Sequence, residues 1–379
     1  MKSNKKPGNT RVQKYSNDYH KRNHILAWII SIVAVLAVGA LAYFGYVYFK
    51  TKNAFDQTYD SKTKVSIKKG EFNGKKKFAV LLMGTDTGAL NRTEKRGRTD
   101  TIILAIVNPQ KKRYSLISIP RDTMAQMVNP SSSSSSSSDS SSNKLTVEKI
   151  NAAYSIGGAK MAMATVSKLI NVPVKYYAVI NMGGIMKMIN YVGGINIRPK
   201  LSFEYSGYVF KKNQLTHMGG AGALAYSRMR YDDPQGDYGR QARQRQVIVA
   251  LIKKAISVGS LTNLDSILTS FSGNVKTNLT FSALQSIALN YRACAKIVKS
   301  DYLHGVGVYI DGASYQVPPT YELQRISDYC RSELGLAKET ISNNETYQNK
   351  KNIKNGFKFN STKTQDYTIY DDYTEEGDN

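Results

Sequence analysis

One uncharged stretch near the N-terminus limits what this chain can become. Residues 25–49, ILAWIISIVAVLAVGALAYFGYVYF, contain no charged side chain, and about twenty apolar residues are enough for a helix to cross a bilayer. Trp28 near one end and Tyr48 near the other suit the two membrane–water interfaces. A cleaved signal peptide is the alternative, because residues 40–42 read Ala-Leu-Ala. The apolar run exceeds the usual length of a signal peptide and continues past that triplet, which favours an uncleaved transmembrane helix.

The charges on either side of this span predict its orientation. Seven lysines and arginines and one acid, Asp18, precede it, whereas only Lys50 and Lys52 follow it directly. Basic residues collect on the cytoplasmic side of a membrane. We therefore expect a single-pass cell-membrane protein in which residues 1–24 form a cytoplasmic basic tail. Everything after the span is then extracellular, beginning with a polar, lysine-rich stalk at 50–76.

The part of the chain beyond the span is strongly basic. The formal net charge is +25, and removing the seven basic residues and one acid of the tail lowers it by six, to +19. Such an excess suits anionic partners, which include lipid headgroups, phosphate-bearing polymers and nucleic acid.

Short apolar runs predict the strands of an α/β domain. Three runs, at 78–84, 101–107 and 114–119, have the length of buried strands. The turn-forming NPQKKR between the last two predicts an antiparallel pair. Two helical patterns and one further strand fall at 159–170, 183–194 and 176–180. Strands mixed with helices, both with apolar faces, indicate a layered α/β domain.

Composition limits this domain to residues 77–342. A serine-rich stretch at 130–144, PSSSSSSSSDSSSNK, interrupts it and is expected to form a flexible insertion at a loop tip. Residues 343–379 are polar, end in an acidic stretch and are expected to be disordered. Cys294 and Cys330 could form one disulfide outside the membrane, although sequence alone cannot pair them.

Arginines and aspartates collect at the ends of the predicted strands. Asp86 follows the first strand, Arg98 and Asp100 lead into the second, and Arg121 and Asp122 follow the third. Active sites often use such positions, and a guanidinium binds phosphate oxygens at two points. A few carboxylates among many arginines suit Mg²⁺, which one or two carboxylates hold together with substrate phosphates. The alternative is that these pairs are salt bridges that only brace the strand ends.

A second concentration of charge lies in residues 228–246, RMRYDDPQGDYGRQARQRQ, with five arginines and three aspartates. The pattern becomes helical in its second half, where Arg240 and Gln244 share a face with apolar residues further along. The first turns of a helix favour anions. Arg228 and Arg230, separated by one residue, would share a face at a strand end. A solvated charged surface is the alternative, but the shared face favours an anion site.

Seven motifs in this order resemble the LytR–CpsA–Psr family over residues 78–256. They read LLMGTDT, GRTDTIIL, SLISIPRDT, KINAAYSIGG, VGGINI, ALAYSRMR and DYGRQARQRQ. The resemblance implies an α-β-α layered domain on a mixed, partly antiparallel sheet, preceded by one N-terminal transmembrane helix. It also implies an apolar pocket for a polyprenyl tail.

The activity that the resemblance implies is phosphoryl transfer. Members of the family look like extracellular enzymes that move an anionic glycopolymer, such as wall teichoic acid or capsular polysaccharide, from undecaprenyl pyrophosphate to peptidoglycan. The acceptor is expected to be the C6 hydroxyl of N-acetylmuramic acid, with Mg²⁺, or Mn²⁺ in its place, as cofactor. The chemistry fits the residues, because phosphoryl transfer depends mainly on positioning and charge neutralisation.

The resemblance also assigns roles to single residues. Asp86 and Asp100 match the metal carboxylates, and Asp237 matches an aspartate that orients the arginines or acts as base. The residues that match the pyrophosphate-binding positions are Arg98, Arg121, Arg228, Arg230, Arg240, Arg243 and Gln244. The expected catalytic set is Arg98, Asp100, Arg121, Asp237 and Arg240. Family members often carry arginine where this chain has Gly88, so one pyrophosphate contact is missing or comes from Arg92 or Arg96.

Three other functions fit part of the sequence. A nucleic-acid-binding protein would also be basic, but the predicted anchor puts the arginines outside the cell and no recognised nucleic-acid motif occurs. A protein that only binds polyprenyl pyrophosphate would need no proton acceptor, which the aspartates offer. A lipid pyrophosphatase would use the same site with water as acceptor. Only an assay of transfer separates the last two from the transferase.

Overall fold

The computed structural model describes residues 58–87, 97–130, 146–257 and 274–373. All of them belong to one compact unit, Ala54–Asn379. The predicted transmembrane helix at 25–49, the cytoplasmic tail, Gly88, Arg92 and Arg96 lie outside the described residues, as do residues 131–145, which include all of the serine-rich stretch except Pro130. Among the described residues, no helix combines the length and the apolar character needed to cross a membrane.

Four strands lie where the apolar runs predict them, and the other strands were not predicted. The strands are β1 Phe78–Thr85, β2 Thr99–Asn108, β3 Arg113–Ser118, β4 Met124–Gln126, β5 Val147–Lys149, β6 Tyr176–Asn181, β7 Ile195–Ile197, β8 Phe203–Tyr205, β9 Tyr208–Phe210, β10 Thr216–Met218, β11 Val275–Thr277, β12 Ile297–Tyr302, β13 Val306–Ile310, β14 Ala313–Val317 and β15 Gln365–Asp366. The four predicted strands are β1, β2, β3 and β6. The helices are α1 Ala152–Ile170, α2 Met182–Tyr191, α3 Gly220–Arg228, α4 Asp237–Ser257, α5 Phe281–Asn290, α6 Thr320–Leu334 and α7 Asn344–Lys354.

The central sheet is mixed, as the family resemblance implies. Its order is β11-β6-β1-β2-β3-β12. The β1–β2 and β2–β3 pairs are antiparallel, with Asn108 opposite Arg113 at the predicted turn. The β1–β6 and β3–β12 pairs are parallel.

Helices cover both faces of this sheet. Neighbouring residues of β3 point to opposite sides, so Ile117 packs with residues of α1 and α6 while Leu116 packs with residues of α4. Burial on both faces explains why the central strands read as nearly continuous apolar runs. The α-β-α layering is therefore confirmed. It places the start of α4 beside the ends of β2 and β3, where the charged motifs lie.

The stalk predicted at 50–76 is wrong for residues 58–76. Tyr59 forms a parallel bridge to Thr277, and Phe72 is buried, with its ring 5.0 Å from that of Phe78 and 5.4 Å from that of Tyr176. The segment is rich in lysine, but its few apolar side chains pack against the sheet. Residues 58–76 therefore belong to the folded domain, although their average composition is polar.

The disordered tail predicted at 343–379 is also wrong, as far as residue 373. Asn343 caps α7 with a reciprocal capping box, and Asn349 and Asn352 are buried. The Asn349 amide donates to Pro318 O over 3.0 Å, and the Asn352 amide donates to Thr368 O over 2.8 Å. These side chains donate hydrogen bonds to buried carbonyl oxygens. A polar composition therefore does not distinguish this ordered segment from a disordered one.

The serine-rich stretch joins two paired strands. Gln126 of β4 lies opposite Val147 of β5 in an antiparallel pair, so residues 131–145 connect the ends of a hairpin. That this stretch is a flexible insertion at a loop tip stays a prediction.

The two cysteines do not form the disulfide that the sequence allows. Both are free and buried. Cys294 belongs to the cluster around Phe72 and Phe78, whereas Cys330 belongs to the cluster of α1 and α6. They lie in separate parts of the core and act there as small apolar side chains.

Candidate anion-binding site

A β-bulge sets the direction of Asp100. Gly84 pairs with Thr101 and Thr85 pairs with Thr99, so Asp100 has no partner opposite it on β1. A bulge redirects a side chain at the end of a strand pair and is often found beside functional sites. Here the Asp100 carboxylate accepts a hydrogen bond from Arg121 Nη1 over 2.7 Å, which joins the start of β2 to the segment after β3.

Arg121 lies among three carboxylates. Its Nη1 contacts Asp100, and its Nε lies 3.5 Å from Asp122 Oδ2. Burial lowers the pKa of Arg121, but Asp100, Asp122 and Asp237 offset this, so the pKa lies above its ordinary value. Nε is nevertheless buried without a hydrogen-bond partner. The guanidinium is therefore held in place with one donor unused among the described residues.

The start of α4 brings a second guanidinium to the same place. Arg240 is 8% exposed, and its Nη2 lies 2.6 Å from Asp237 Oδ1, one turn earlier. The geometry of that contact is not that of a hydrogen bond, so Arg240 Nε and Nη2 and Asp237 Oδ1 are all buried without hydrogen-bond partners. Burial lowers the pKa of Arg240; Asp237 opposes this, while Arg121 and Arg230 lower the pKa further.

Unpartnered donors on two neighbouring cations point to an anionic ligand. A buried polar group without a partner costs about 1–3 kcal/mol, so native structures rarely keep one without a reason. A phosphate would accept hydrogen bonds from Arg121 and Arg240 at once. Arg230 adds a third cation, with its Nε 3.9 Å from Asp237 Oδ1. The arrangement can neutralise a multiply charged anion at the N-terminus of a long helix.

The structure brings some of the expected site residues together and places others at the edge. Asp100, Arg121, Arg230, Asp237 and Arg240 form one cluster. Gln244 is half-buried one turn beyond Arg240 on α4.

Two further expected site residues, Asp86 and Arg98, lie beside the start of β2. Asp86 Oδ1 lies 2.7 Å from where a Cβ atom on Gly97 would be, so this carboxylate packs beside the start of β2. Arg98 is exposed and close enough to lower the pKa of Tyr315, although burial keeps that pKa above its ordinary value. Arg98 therefore lies on the side facing β14.

Arg243 does not join the cluster. It is 5% exposed, forms an ion pair with Asp233, and donates to the carbonyl oxygens of Met229 and Tyr226. These contacts brace the segment between α3 and α4. The expectation that Arg243 binds pyrophosphate is not supported by this position, because its guanidinium is already satisfied inside the protein.

The strand end expected around Arg228 and Arg230 is wrong. Arg228 is the last residue of α3, and Arg230 lies in the loop that follows. The alternating spacing alone could not distinguish a strand end from a helix end followed by a loop. Arg228 is half-buried, and among the described residues no ion pair to it is found.

Gln241 and Lys149, which the sequence motifs do not single out, contact Asp237 and Asp122, and Arg245 lies further along α4. Gln241 is buried, donates to Asp237 Oδ2 over 2.8 Å and leaves its Oε1 without a partner. Its position four residues after Asp237 was the available signal. Lys149 Nζ lies 3.4 Å from Asp122 Oδ1. Arg245 is buried between the hydroxyls of Ser118 and Ser300, each 2.6 Å away, and burial lowers its pKa to about 10.

The carboxylates suit a cation that takes most of its ligands from the substrate. The described residues contain no group of three or more His, Cys, Asp or Glu side chains that could hold a metal ion. Asp86 directly follows β1 and Asp100 is the bulged residue of β2, and carboxylate oxygens are the ligands that Mg²⁺ prefers. Two carboxylates with substrate phosphates are a common magnesium arrangement, so the residues present fit such a cation.

Comparisons with known proteins agree with this picture. The sequence model of the LytR_cpsA_psr family matches residues 42–332. Over 314 residues, the chain is 38% identical to the polyisoprenyl-teichoic acid–peptidoglycan teichoic acid transferase TagU of Enterococcus faecalis, covering 83% of this chain and 98% of the relative.

Solved structures support the same fold. The crystal structure of Bacillus subtilis TagU is 33% identical with a TM-score of 0.53, covering 71% of this chain and all of that one. A crystal structure of a Streptococcus agalactiae protein is 33% identical with a TM-score of 0.64, covering 74% of this chain and 97% of that one. The mixed central sheet is therefore shared with known structures.

Proposed function

The chain belongs to the LytR–CpsA–Psr family, and from this we propose that it is a membrane-anchored phosphotransferase of the cell envelope. It moves an anionic glycopolymer from undecaprenyl pyrophosphate to peptidoglycan. The observation that carries the proposal is the buried Arg240, whose Nε and Nη2 have no hydrogen-bond partner, near Arg121, whose Nε also lacks one. Unpartnered guanidinium nitrogens on two neighbouring arginines are better explained by a pyrophosphate ligand than by a solvated charged surface.

A teichoic acid is the polymer that the relatives favour. The Enterococcus faecalis and Bacillus subtilis proteins are named teichoic acid transferases, at 38% and 36% identity. Both names specify a polyisoprenyl-linked teichoic acid as donor and peptidoglycan as acceptor. We carry both substrates over to this chain.

The reaction assigns one task to each part of the cluster. The oxygen of an acceptor hydroxyl attacks the phosphorus that carries the polymer, the bond from that phosphorus to the bridging oxygen breaks, and polyprenyl phosphate leaves. Arg121 and Arg240 neutralise the charge that develops on the phosphate oxygens. Asp237 Oδ1, buried without a hydrogen-bond partner, takes the proton of the hydroxyl. Gln241 and Arg240 hold that carboxylate in place.

The metal ion belongs to the proposal as well. Asp86 and Asp100 would hold Mg²⁺, with the remaining ligands from the pyrophosphate and water. When bound, the ion neutralises phosphate charge. Asp100 also orients Arg121 over 2.7 Å, so this residue has a role on the protein side independent of the metal.

Membrane attachment completes the proposed arrangement. The apolar residues 25–49 would anchor the chain with its N-terminus in the cytoplasm, because the basic residues precede the span. The catalytic domain then lies outside the membrane, on the side where peptidoglycan is found. An anchored enzyme also stays beside a lipid-linked donor.

An assay of products distinguishes the transferase from its alternatives. The full-length chain in detergent is given a polyprenyl-pyrophosphate-linked glycan, a peptidoglycan oligomer and Mg²⁺. We expect a phosphodiester-linked glycan–peptidoglycan product together with polyprenyl phosphate. Release of polyprenyl phosphate without the linked product would identify a pyrophosphatase, and tight donor binding without turnover would identify a binding protein. Arg198→Ala, an exposed arginine outside the cluster, is the matched control for Arg240→Ala.

A further inference from the structure

The loop between α3 and α4, residues 229–236, is fixed by an ion pair with α4 and by hydrogen bonds within the loop. The Asp233 carboxylate pairs with the buried Arg243 and accepts from Gln235 N over 2.8 Å. Gly236 N donates to Asp233 O over 2.8 Å. A Cβ atom on Gly239 would lie 1.9 Å from Asp233 Oδ2, so the carboxylate packs there only because glycine has no side chain. The loop is therefore preformed.

This firm loop presents an aromatic ring to solvent. Asp233 N donates to Arg230 O over 3.3 Å, which closes a turn with Tyr231 as its second residue. Tyr231 is 90% exposed, the most of any large hydrophobic side chain in the described residues. The Arg230 guanidinium lies 5.7 Å from the centre of its ring. Single exposed hydrophobic residues are common, so exposure alone does not indicate a function for Tyr231. Its position relative to the anion-binding cluster does.

Tyr231 stands one side chain away from the anion-binding cluster. Arg230, which contacts the ring, has its Nε 3.9 Å from Asp237 Oδ1, and the same oxygen lies 2.6 Å from Arg240 Nη2. A phosphate bound by Arg240 would therefore have Arg230 and then Tyr231 beside it. A group that is covalently attached to that phosphate, or that attacks it, could therefore reach the ring of Tyr231.

We propose that Tyr231 is a stacking platform for a pyranose ring of one of the two glycan substrates, an inference that rests on the proposed function. One face of a pyranose consists mainly of C–H groups, which pack against an aromatic ring while the hydroxyls stay in water. Arg230 restrains the tyrosine ring and limits the ordering needed when the sugar binds. The ring comes either from the acceptor or from the first sugar of the donor, and both present the same chemistry.

Replacing the ring tests this assignment in the full-length enzyme. Tyr231→Ala should raise the KM of one glycan substrate about 3- to 10-fold, the range of a single aromatic stacking contact. Tyr231→Phe and Tyr231→Trp should keep a KM close to that of the parent, because the ring and not the hydroxyl makes the contact. Tyr321→Ala is the matched control, since Tyr321 is 73% exposed and lies near the start of α6. It should change neither KM.

Two arms identify the source of the sugar. A rise in the acceptor KM alone assigns the platform to peptidoglycan, and a rise in the donor KM alone assigns it to the polymer. In both cases the affinity for a polyprenyl pyrophosphate without glycan should stay unchanged. The proposal is overturned if both KM values are unaffected, if Tyr231→Phe behaves like Tyr231→Ala, or if the glycan-free lipid is bound more weakly.

Direct binding keeps this result separate from the proposed function. Calorimetric titration of a peptidoglycan oligomer, and separately of the free polymer, into the parent enzyme and Tyr231→Ala needs no turnover. A parent enzyme that lacks transfer activity contradicts the proposed function, whereas ring-dependent glycan binding still supports the platform. Active transfer with equal glycan affinity in both proteins contradicts the platform alone.

Discussion

Arg240 Nη2 lies 2.6 Å from Asp237 Oδ1 on the same face of α4, and yet neither atom has a hydrogen-bond partner. The pair is close enough for charge attraction but is not directed as a hydrogen bond. Arg121 approaches from the end of β3 with a further unpartnered nitrogen. The site therefore holds its cations in position and leaves their donors for a ligand.

Removing the Arg240 guanidinium should affect transfer more than folding. We expect Arg240→Ala to lower turnover by about 10²–10³, the effect of losing one preorganised electrostatic contact. Arg240→Lys should recover only part, because an ammonium cannot bind two oxygens as a planar fork. The thermal midpoint should stay the same or rise, since burial already lowers the pKa of Arg240. Unchanged turnover in Arg240→Ala, measured beside Arg198→Ala, would show that residues 228–246 form an ordinary charged surface and not an anion-binding site.

Arg243 should give the opposite result. It is 5% exposed and paired with Asp233, and breaking a buried ion pair by removing one partner costs about 3–5 kcal/mol. We expect Arg243→Ala to lower the free energy of unfolding by that amount in denaturant titration. A variant that keeps full stability but loses donor binding would show that Arg243 contacts the substrate after all.

The proposed metal ligands can be tested by shape-preserving changes. Asp86→Asn and Asp100→Asn should each abolish Mg²⁺-dependent transfer while the thermal midpoint stays near that of the parent, because a neutral amide binds Mg²⁺ poorly. Asp371→Asn, an exposed acid, serves as control. If Asp100→Asn has an unchanged Mg²⁺ dependence but lower turnover, Asp100 acts only by orienting Arg121.

Glu345 predicts a pH dependence of stability. Burial raises its pKa above the ordinary value of 4.5, although hydrogen bonding from Gln126 N and the charge of Lys168 oppose this. A raised pKa means that the folded protein binds the proton more tightly than the unfolded chain. The stabilisation is thus complete below pH 4.5 and is lost as the pH rises through the folded pKa.

The neutral variant Glu345→Gln should therefore be more stable than the parent at pH 7–8. It retains an oxygen for the hydrogen bond from Gln126 N, now 2.7 Å from Glu345 Oε1, and removes the buried charge. The gain in thermal midpoint should shrink as the pH falls toward 4.5. Glu204→Gln, at an exposed position of β8, should show no such trend. A gain that is independent of pH would mean that folding does not shift the pKa of Glu345.

The proposed membrane topology predicts protease sensitivity. Because basic residues precede the apolar span, the domain should lie outside the cell. Protease added to intact protoplasts should digest it, while a cytoplasmic marker protein stays intact. Complete protection of the domain would reverse the orientation and contradict transfer to peptidoglycan.

Much of the central sheet can be predicted from local pattern. The runs at 78–84, 101–107 and 114–119 become β1, β2 and β3, and the turn between the last two makes an antiparallel pair. These features depend on side-chain period and turn chemistry, which are local properties. The predictions for 58–76 and 343–373 are wrong, because each segment buries a few side chains in the domain although its average composition is polar.

The sequence by itself determined β1, β2, β3 and β6, the mixture of strands and helices in layers, and the set of arginines and aspartates near the strand ends. Only the tertiary structure decided which arginines face the site. Arg240 and Arg243 stand three residues apart in one motif, but Arg243 meets Asp233 from the preceding loop while Arg240 meets Arg121 from β3. Likewise, only the pairing of β1 with β2 reveals the bulge at Asp100. The sequence gives the charge of each side chain. The partner of that side chain belongs to a segment distant in sequence, which only the packing of the fold brings close to it.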